Sequence, residues 1–354
     1  MDRQRLRRVA ARALVVLEWV YASVLIALAL LTHRWELDWF GLWLIATFLP
    51  YWFIPGLLVA VWTLLRRNPR RHLPGLAVAA CFLLLYGRQL VPRPSPDSSR
   101  AVTVMTHNLA GLPAGVEPAL TSITTEQPHL LALQEIRPRR SDRRDLLSRL
   151  EESGYQCEHR PYYADTGFGV AICVRPPVGM LQAQRRTYHE QGEWSYLFAE
   201  VAWQHQVVNV VVPHLLSYRL RGVDDGVTLL RRVLQASRWH RQETAALLDL
   251  IGTFRDPTLM LGDFNSTPEH AIHPRIRRQM RDAFAVRGLG FGATYRFVLP
   301  IRIDNVYASP GLEVLEARVG SPAGSDHRSV VVRLQLTEEG FDLPATSPLA
   351  SAAR

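Results

Sequence analysis

The sequence predicts an α/β domain of two mixed sheets packed together with helices outside, preceded by about three apolar helices. Three observations lead there. Long apolar runs crowd residues 1–94. From about residue 101 to 336, strand-like runs of aliphatic and β-branched residues mix with helical patterns, without a strict βαβ alternation. Finally, short polar clusters follow several of the strand-like runs, where a chain leaving a buried strand reaches the rim of a sheet.

The first apolar run, Ala11 to Leu31, matches the ~20 residues needed to cross a bilayer. The second, Phe40 to Leu65, carries Pro50 and Pro55 and should be kinked. The third, Leu73 to Val91, is the shortest. A cleaved signal peptide would account for the first run alone, and no small-residue cleavage site follows it. Any one run can be a buried core helix, but three in succession favour transmembrane helices.

Charge supports the division. Residues 1–94 hold 12 of the 41 basic residues and 4 of the 32 acids, a balance of +8. The remainder has 29 basic against 28 acidic residues, or +1, which gives little support to a strongly basic nucleic-acid surface. Every basic residue is Arg. Arg3, Arg5, Arg7, Arg8 and Arg12 precede the first run, and Arg66, Arg67, Arg70 and Arg71 lie between the second and third. Both flanks should be cytoplasmic, so three crossings put residues 95 onward outside. The reading is therefore a membrane domain at 1–92, a Pro/Ser linker at 93–100, a globular domain at 101–336 and a disordered tail at 337–354.

Within the globular domain the patterns predict strands at 102–107, 129–134, 155–162, 168–175, 196–203, 206–213, 258–262, 303–308, 313–319 and 328–336. Helices are expected near 117–126, over Arg140 to Ser153, and over Val227 to Phe254, where Leu229, Leu230, Val233 and Leu234 recur at helical spacing. Cys157 and Cys173 flank a hairpin near Ala164 to Gly167 and can face each other. They are read as two separate buried thiols, although an oxidising exterior would permit a disulfide. Cys81 lies in the third apolar run. The turn Tyr162-Tyr163-Ala164-Asp165, before Gly169-Val170-Ala171-Ile172, can be substrate-facing material, although exposed tyrosines at a hairpin are common.

The polar clusters are Thr106-His107-Asn108, Gln134-Glu135, Gly262-Asp263-Phe264-Asn265 and Ser325-Asp326-His327, with His214 and Asp304 between them. Taken singly, each has an ordinary explanation: a solvated strand end for Glu135, a turn for the Gly-Asp-Phe-Asn tetrapeptide, a capping Asp at 326, a surface imidazole at 214. Asp263 and Asn265, two apart in an extended segment, would point to one face and could orient a water and contact a phosphate oxygen. Asp304 interrupts an apolar strand, where an unpaired carboxylate is costly, and His327 is its natural cationic partner. Together, carboxylates, amides and imidazoles at neighbouring sheet rims suit a hard divalent cation and a phosphate ester.

In that order the clusters resemble the endonuclease/exonuclease/phosphatase superfamily, the DNase I-like fold of DNases, AP endonucleases, neutral sphingomyelinases and inositol-polyphosphate 5-phosphatases. The resemblance covers about residues 101–336. It implies a four-layer α/β/β/α sandwich and Mg²⁺-dependent phosphoester hydrolysis, with Mn²⁺ able to substitute. It also implies roles. Glu135 would be the principal metal ligand, with Asn108 beside the metal and phosphate and Asp326 binding or orienting around the metal. Asp263 would orient or deprotonate water, Asn265 would hold a phosphoryl oxygen, and His327, kept cationic by Asp304, would stabilise the phosphate. His214 could protonate the leaving oxygen. The carboxylate that pairs with this second histidine in DNases is not evident, Asp165 being only a weak candidate. The Arg-rich stretches 137–144 and 219–241 read as solvated helix faces.

The expectation is a membrane-anchored, extracytoplasmic phosphodiesterase or phosphatase acting on a lipid or small phosphoester. A tethered nuclease acting on DNA and a non-catalytic binding module on the same fold are the alternatives. The lipid bilayer and the phosphoester are the expected partners, and no feature points to a protein partner.

Overall fold

The computed structural model describes residues 3–34, 40–66, 73–137, 145–163, 167–188, 194–218, 223 and 225–337. The chain divides into two compact units, Met1–Val91 with Pro268–Pro274, and Pro92–Thr267 with Arg275–Arg354.

The first unit is helical: Arg3–Arg34 (α1), Phe40–Thr47 (α2), Leu49–Trp52 (α3), Ile54–Arg66 (α4) and Leu73–Tyr86 (α5), then a 3₁₀ turn at Gly87–Leu90. Ala22, Leu25 and Ala29 of α1 pack with Leu49, Phe53, Val78, Phe82 and Tyr86. Gly56 lies against Val78, so close that any β-carbon there would overlap it. Small residues of this kind let apolar helices approach closely. Outward faces stay apolar: Leu58 and Leu65 are exposed, and Leu84 is 86% exposed. Two helical segments, Arg12–Thr32 and Leu73–Leu90, are long and apolar enough to cross a membrane. The pair Gly41–Thr47 and Leu49–Leu65, bent by 86°, makes a third span if counted as one. The bend expected from the prolines falls at Phe48, just before α3, where Pro50 occupies the first turn and lacks an N–H to continue the ladder.

The second unit holds the sheets. Its elements are Val102–Asn108 (β1), Val116–Glu126 (α6), Leu130–Ile136 (β2), Leu146–Glu152 (α7), Gln156–Pro161 (β3), Gly169–Val174 (β4), Val178–Thr187 (β5), Ser195–Trp203 (β6), Gln206–Val212 (β7), Gly226–Gly252 (α8) and Thr258–Asp263 (β8). Ile272–Arg277 (α9) spans the division between the two units, and the short segments Arg281–Asp282 (β9), Ala283–Arg287 (α10), Tyr295–Arg296 (β10) and Pro300–Ile301 (β11) follow it. Asp304–Ala308 (β12), Leu312–Val319 (β13) and Val330–Leu336 (β14) complete the order. One six-stranded sheet runs β13-β14-β1-β2-β4-β3, the other β5-β6-β7-β8-β12-β9, and β10 and β11 form a separate pair.

Strand patterning explains the layers. Val104, Leu130 and Ala132 face the core between the sheets, with Leu197, Ala199, Val210, Leu259 and Leu261 opposite. Their neighbours Met105, Leu131 and Leu133 turn the other way, under Ala119 and Ile123 of α6 and Leu147 and Leu150 of α7. These central strands are buried on both faces, which is why they read as continuous apolar runs. On the second sheet, α8 buries Val233, Ala236, Leu247 and Ile251, and Phe254 beyond it stacks on Phe198 at 5.2 Å. The result is the expected sandwich of helix, sheet, sheet and helix.

Differences from the sequence reading cluster at edges. β5 was not anticipated; it is an edge strand, largely exposed or half-buried, without the alternation that marks a buried face. The first part of the helix expected from Arg140 and the tail from 338 lie outside the described residues, as does Asp165. Cys157 and Cys173, read as separate thiols, form a disulfide. They are directly opposed on β3 and β4, as the hairpin between them allows. Replacing both by Ser is expected to lower stability by about 3 kcal/mol, the chain-entropy value for a loop of this size. Urea unfolding checks it; an unchanged midpoint would mean that the crosslink constrains little.

Candidate functional site

β1 and β2 are parallel neighbours in one sheet, β7 and β8 in the other. β12 runs antiparallel to β8, and β14 antiparallel to β1. The C-terminal ends of the first four and the N-terminal ends of the last two therefore gather at one end of the sandwich. Asn108, Glu135, His214, Asp263, Asp304 and His327 meet there.

Gly262 makes the approach of β7 and β8 possible. A β-carbon at this position would collide with the carbonyl oxygen of Pro213, so only glycine fits. The chain beyond β7 then bridges Asp263 through His214, and Leu215 N donates to the Asp263 carbonyl at 2.9 Å.

Asn108 ties the two sheets together. Its Nδ2 donates to Glu135 Oε1 at 3.0 Å and to Asp263 Oδ2 at 2.9 Å, while Oδ1 accepts from Ala110 N at 2.9 Å. In this orientation the amide holds the carboxylates side by side, and its oxygen is turned away from them. Glu135 sits at an irregularity in the β2–β4 pairing with φ +55°, a left-handed conformation that costs about 1–3 kcal/mol in a non-glycine residue. Its side chain remains 31% exposed.

Asp263 lies fully inside, directly across from Asp304 in the β8–β12 register. Burial and the nearby Asp304 raise its pKa to about 7, against the hydrogen bonds from Asn108 and Asn265. Asp304 Oδ2 accepts from His327 Nδ1 at 2.9 Å, the pairing expected from the cost of a lone carboxylate on an apolar strand. Burial alone would lower the His327 pKa; Asp304, with Asp263 and Asp326, overrides it and raises it to about 10. His327 Nε2 reaches to 3.9 Å from Asp263 Oδ2, and Tyr295 packs on the ring at 4.8 Å.

Asn265 departs from the extended conformation expected of it. Its φ is +48°, its N–H donates to Asp263 Oδ1 at 2.7 Å, and its Nδ2 donates to Leu215 O at 2.8 Å. The chain turns immediately after β8, because the Asp263 side chain captures the amide two residues on. Asp326 is exposed beside His327 and belongs to neither acid–imidazole group described below.

His214 is buried, with Nε2 3.6 Å from both Glu135 Oε1 and Asp263 Oδ2. Desolvation lowers its pKa to about 4, against the pull of Glu135. Among the described residues no carboxylate holds its other nitrogen. Nδ1 lies 2.6 Å from the hydroxyl of Tyr162, which also accepts from Glu135 N at 3.0 Å. Tyr162, read from sequence as an exposed hairpin residue, is 1% exposed and stacks on Trp194 at 4.4 Å.

Several further residues shape the site without a local signal in the sequence. Tyr188 accepts from His214 N, and Trp194 Nε1 donates to His214 O at 2.9 Å. Thr294 Oγ1 accepts from Asp304 N at 3.2 Å, and its carbonyl accepts from Arg328 N at 2.7 Å. Arg302 and Asp282 form a buried two-pronged ion pair at 2.8 and 2.9 Å, just before β12. From α8, His240 Nε2 donates to Leu216 O at 2.6 Å, and Glu243 accepts from Leu216 N, securing the loop beyond His214. Burial pushes Glu243 up to about 8.

Two acid–imidazole groups result, Glu135–His214–Asp263 and Asp263–Asp304–His327, each with ligand atoms within 4.8 Å of one another. Asp263 belongs to both. Such a site can hold a divalent cation and present a cationic imidazole to an anionic ester.

Solved structures share this fold. The human Nocturnin catalytic domain with bound sulfate anion matches with a TM-score of 0.53 and 19% identity, over 69% of this chain and 100% of that one. D. rerio TDP2 complexed with single strand DNA product matches at 0.52 and 16%, over 67% and 100%. A functionally unknown conserved protein from Enterococcus faecalis matches at 0.52 and 17%, over 66% and 100%. No curated protein matches the chain. The endonuclease/exonuclease/phosphatase family model matches residues 105–327, more than half of the chain and every one of the polar clusters, and the chain belongs to that family.

Proposed function

We propose that this protein is a membrane-anchored, divalent-metal-dependent phosphoester hydrolase whose α/β domain faces the outer side of the bilayer and acts on a lipid or small phosphoester. The observation that carries the reading is the meeting of Glu135, Asn108, Asp263, Asp304 and His327 at one end of the sandwich, with Asp263 shared by two acid–imidazole groups.

The donor set fits a hard cation. Glu135 and Asp263 bring carboxylate oxygens together, and the buried Asp263–Asp304 repulsion that raises the Asp263 pKa is relieved by added positive charge. Glu135 is the principal ligand and Asp326 acts around it; Asn108 holds the carboxylates in place. When bound, Mg²⁺ or Mn²⁺ supplies charge that polarises the phosphoryl group. Asp263 takes the proton of the attacking water, its Oδ1 oriented by the Asn265 backbone amide and its Oδ2 by the Asn108 side chain. His327, charged through Asp304, faces the negative charge that develops on the phosphoryl oxygens. Asn265 retains one amide N–H for a phosphoryl oxygen after donating to Leu215.

The apolar helices and their Arg-rich flanks support an anchored protein with three crossings and the remainder outside. The Cys157–Cys173 disulfide supports the same side, because oxidising compartments preserve such bonds. The near-neutral balance of residues 95–354 favours a lipid or small ester over a long nucleic-acid track.

The test is turnover by the full chain in detergent, with Mg²⁺ or EDTA, on sphingomyelin, a phosphoinositide, bis(p-nitrophenyl) phosphate and plasmid DNA. Metal-dependent lipid hydrolysis with little dependence on salt is expected. DNA cleavage that falls steeply with salt would replace the substrate class with a nuclease's, and failure on every substrate by folded protein would favour a binding module.

A further inference from the structure

The two site imidazoles are wired to opposite kinds of partner. His327 Nδ1 faces a carboxylate, which can only accept, so that nitrogen carries a proton. His214 Nδ1 faces a phenol, and here the protons can be counted. Glu135 N–H donates to the Tyr162 oxygen, as a backbone amide must. The phenol has one proton of its own and is buried. Among the described residues Nδ1 is the one acceptor within reach of it, at 2.6 Å. A phenol proton aimed elsewhere would be a buried donor with no acceptor. The hydroxyl therefore donates to Nδ1, and the ring proton of His214 resides on Nε2. That N–H has no hydrogen-bond partner among the described residues and lies 3.6 Å from Glu135 Oε1 and from Asp263 Oδ2.

The phenol itself cannot shift easily. Tyr162 N donates to Phe168 O at 2.8 Å, and Tyr162 O accepts from Arg185 Nη2 at 2.9 Å and Ser195 Oγ at 3.0 Å. Trp194 covers one face of its ring and also holds the His214 carbonyl.

We propose that Tyr162 is a positioning residue that locks His214 as the neutral Nε2–H tautomer, making it a hydrogen-bond donor to a phosphoryl or leaving oxygen and not a ligand to the cation. The clause about the ester rests on the hydrolase reading; the tautomer does not. A protonated Nε2 has no lone pair to offer, so the Glu135–His214–Asp263 group reduces to its two carboxylates. The cation site is then an oxygen site, suited to Mg²⁺ over borderline metals that favour imidazole. With a neutral ring, His214 stabilises charge by hydrogen bonding, in place of the proton delivery that the family resemblance implied for it.

Ring ¹⁵N spectra of the full chain, labelled at histidine and assigned with His214→Gln, test the tautomer directly. Nδ1 unprotonated and Nε2 protonated, with and without Mg²⁺, is expected. A protonated Nδ1, or an Nε2 that loses its proton when Mg²⁺ is added, overturns the proposal. Kinetics on bis(p-nitrophenyl) phosphate test the linkage. Tyr162→Phe should lower kcat about 10–100-fold with KM unchanged, on the scale of the loss when a partner that orients a metal-bound imidazole is removed. In the His214→Gln background it should cost nothing further, whereas losses that multiply in the double variant overturn the positioning role. If the wild-type chain hydrolyses nothing, the hydrolase reading fails while the spectra still decide the tautomer.

Discussion

Alanine at Glu135 is expected to lower Mg²⁺-dependent hydrolysis by about 10³-fold or more, equivalent to roughly 4 kcal/mol of transition-state stabilisation. Glu135 is the partly exposed carboxylate of its group, and the Asn108 amide bridges it to Asp263. Without it the cation loses its principal ligand. The fold should not suffer in parallel. Asn108 keeps its bond to Asp263, and Tyr162 keeps the backbone N–H of residue 135. The substitution also relieves a crowded set of negative charges. The measurement pairs turnover with thermal unfolding: activity should collapse while the melting temperature holds or rises. A variant that loses both together would make Glu135 a structural residue. One that keeps activity would remove the cation site from this position.

Asp304→Asn is the variant expected to cost most in stability, about 3–5 kcal/mol, because it strips a buried imidazolium of its counter-charge. The pH dependence gives the result its sign. The His327 pKa rises from the ordinary imidazole value of 6.5 to about 10 in the folded protein. The stabilisation it brings is fully present below about pH 6.5 and is lost as pH rises through about 10. Urea midpoints for the wild-type chain should therefore decline across that alkaline window. In Asp304→Asn the decline should largely disappear, since the carboxylate that raised the pKa is gone. Parallel declines in the two proteins would mean that another group governs alkaline unfolding.

How much of this could be read from the sequence depends on what each residue's neighbours advertise. Strands such as β1, β2 and β8 are buried on both faces, so their apolar runs announced both the element and the polar residue at its end. The Asp304–His327 contact followed from the cost of an isolated carboxylate. Tyr162 was misjudged because its burial comes from Trp194, more than thirty residues on, in a segment with no pattern to reveal the contact. The edge strand β5 was missed for the same reason, being defined by an opposing strand and by no periodicity of its own. The Cys157–Cys173 bond was weighed and set aside, because a hairpin that lets two thiols face each other does not announce whether they are joined. Asn265 was placed on an extended segment because spacing cannot reveal a side chain that caps its own turn.

The crowding at Gly262 has a consequence for the tolerance of the chain to change. Position 262 carries no side chain and performs no chemistry, yet any replacement would wedge β8 away from Pro213 and carry His214 out of register with Asp263. A saturation library at this codon should return one uniform phenotype whatever the size or polarity of the newcomer. The neighbouring acidic and amide positions should instead grade their substitutes by chemistry. A flat profile beside graded ones would mark the place where backbone spacing, and no functional group, sets the limit on variation.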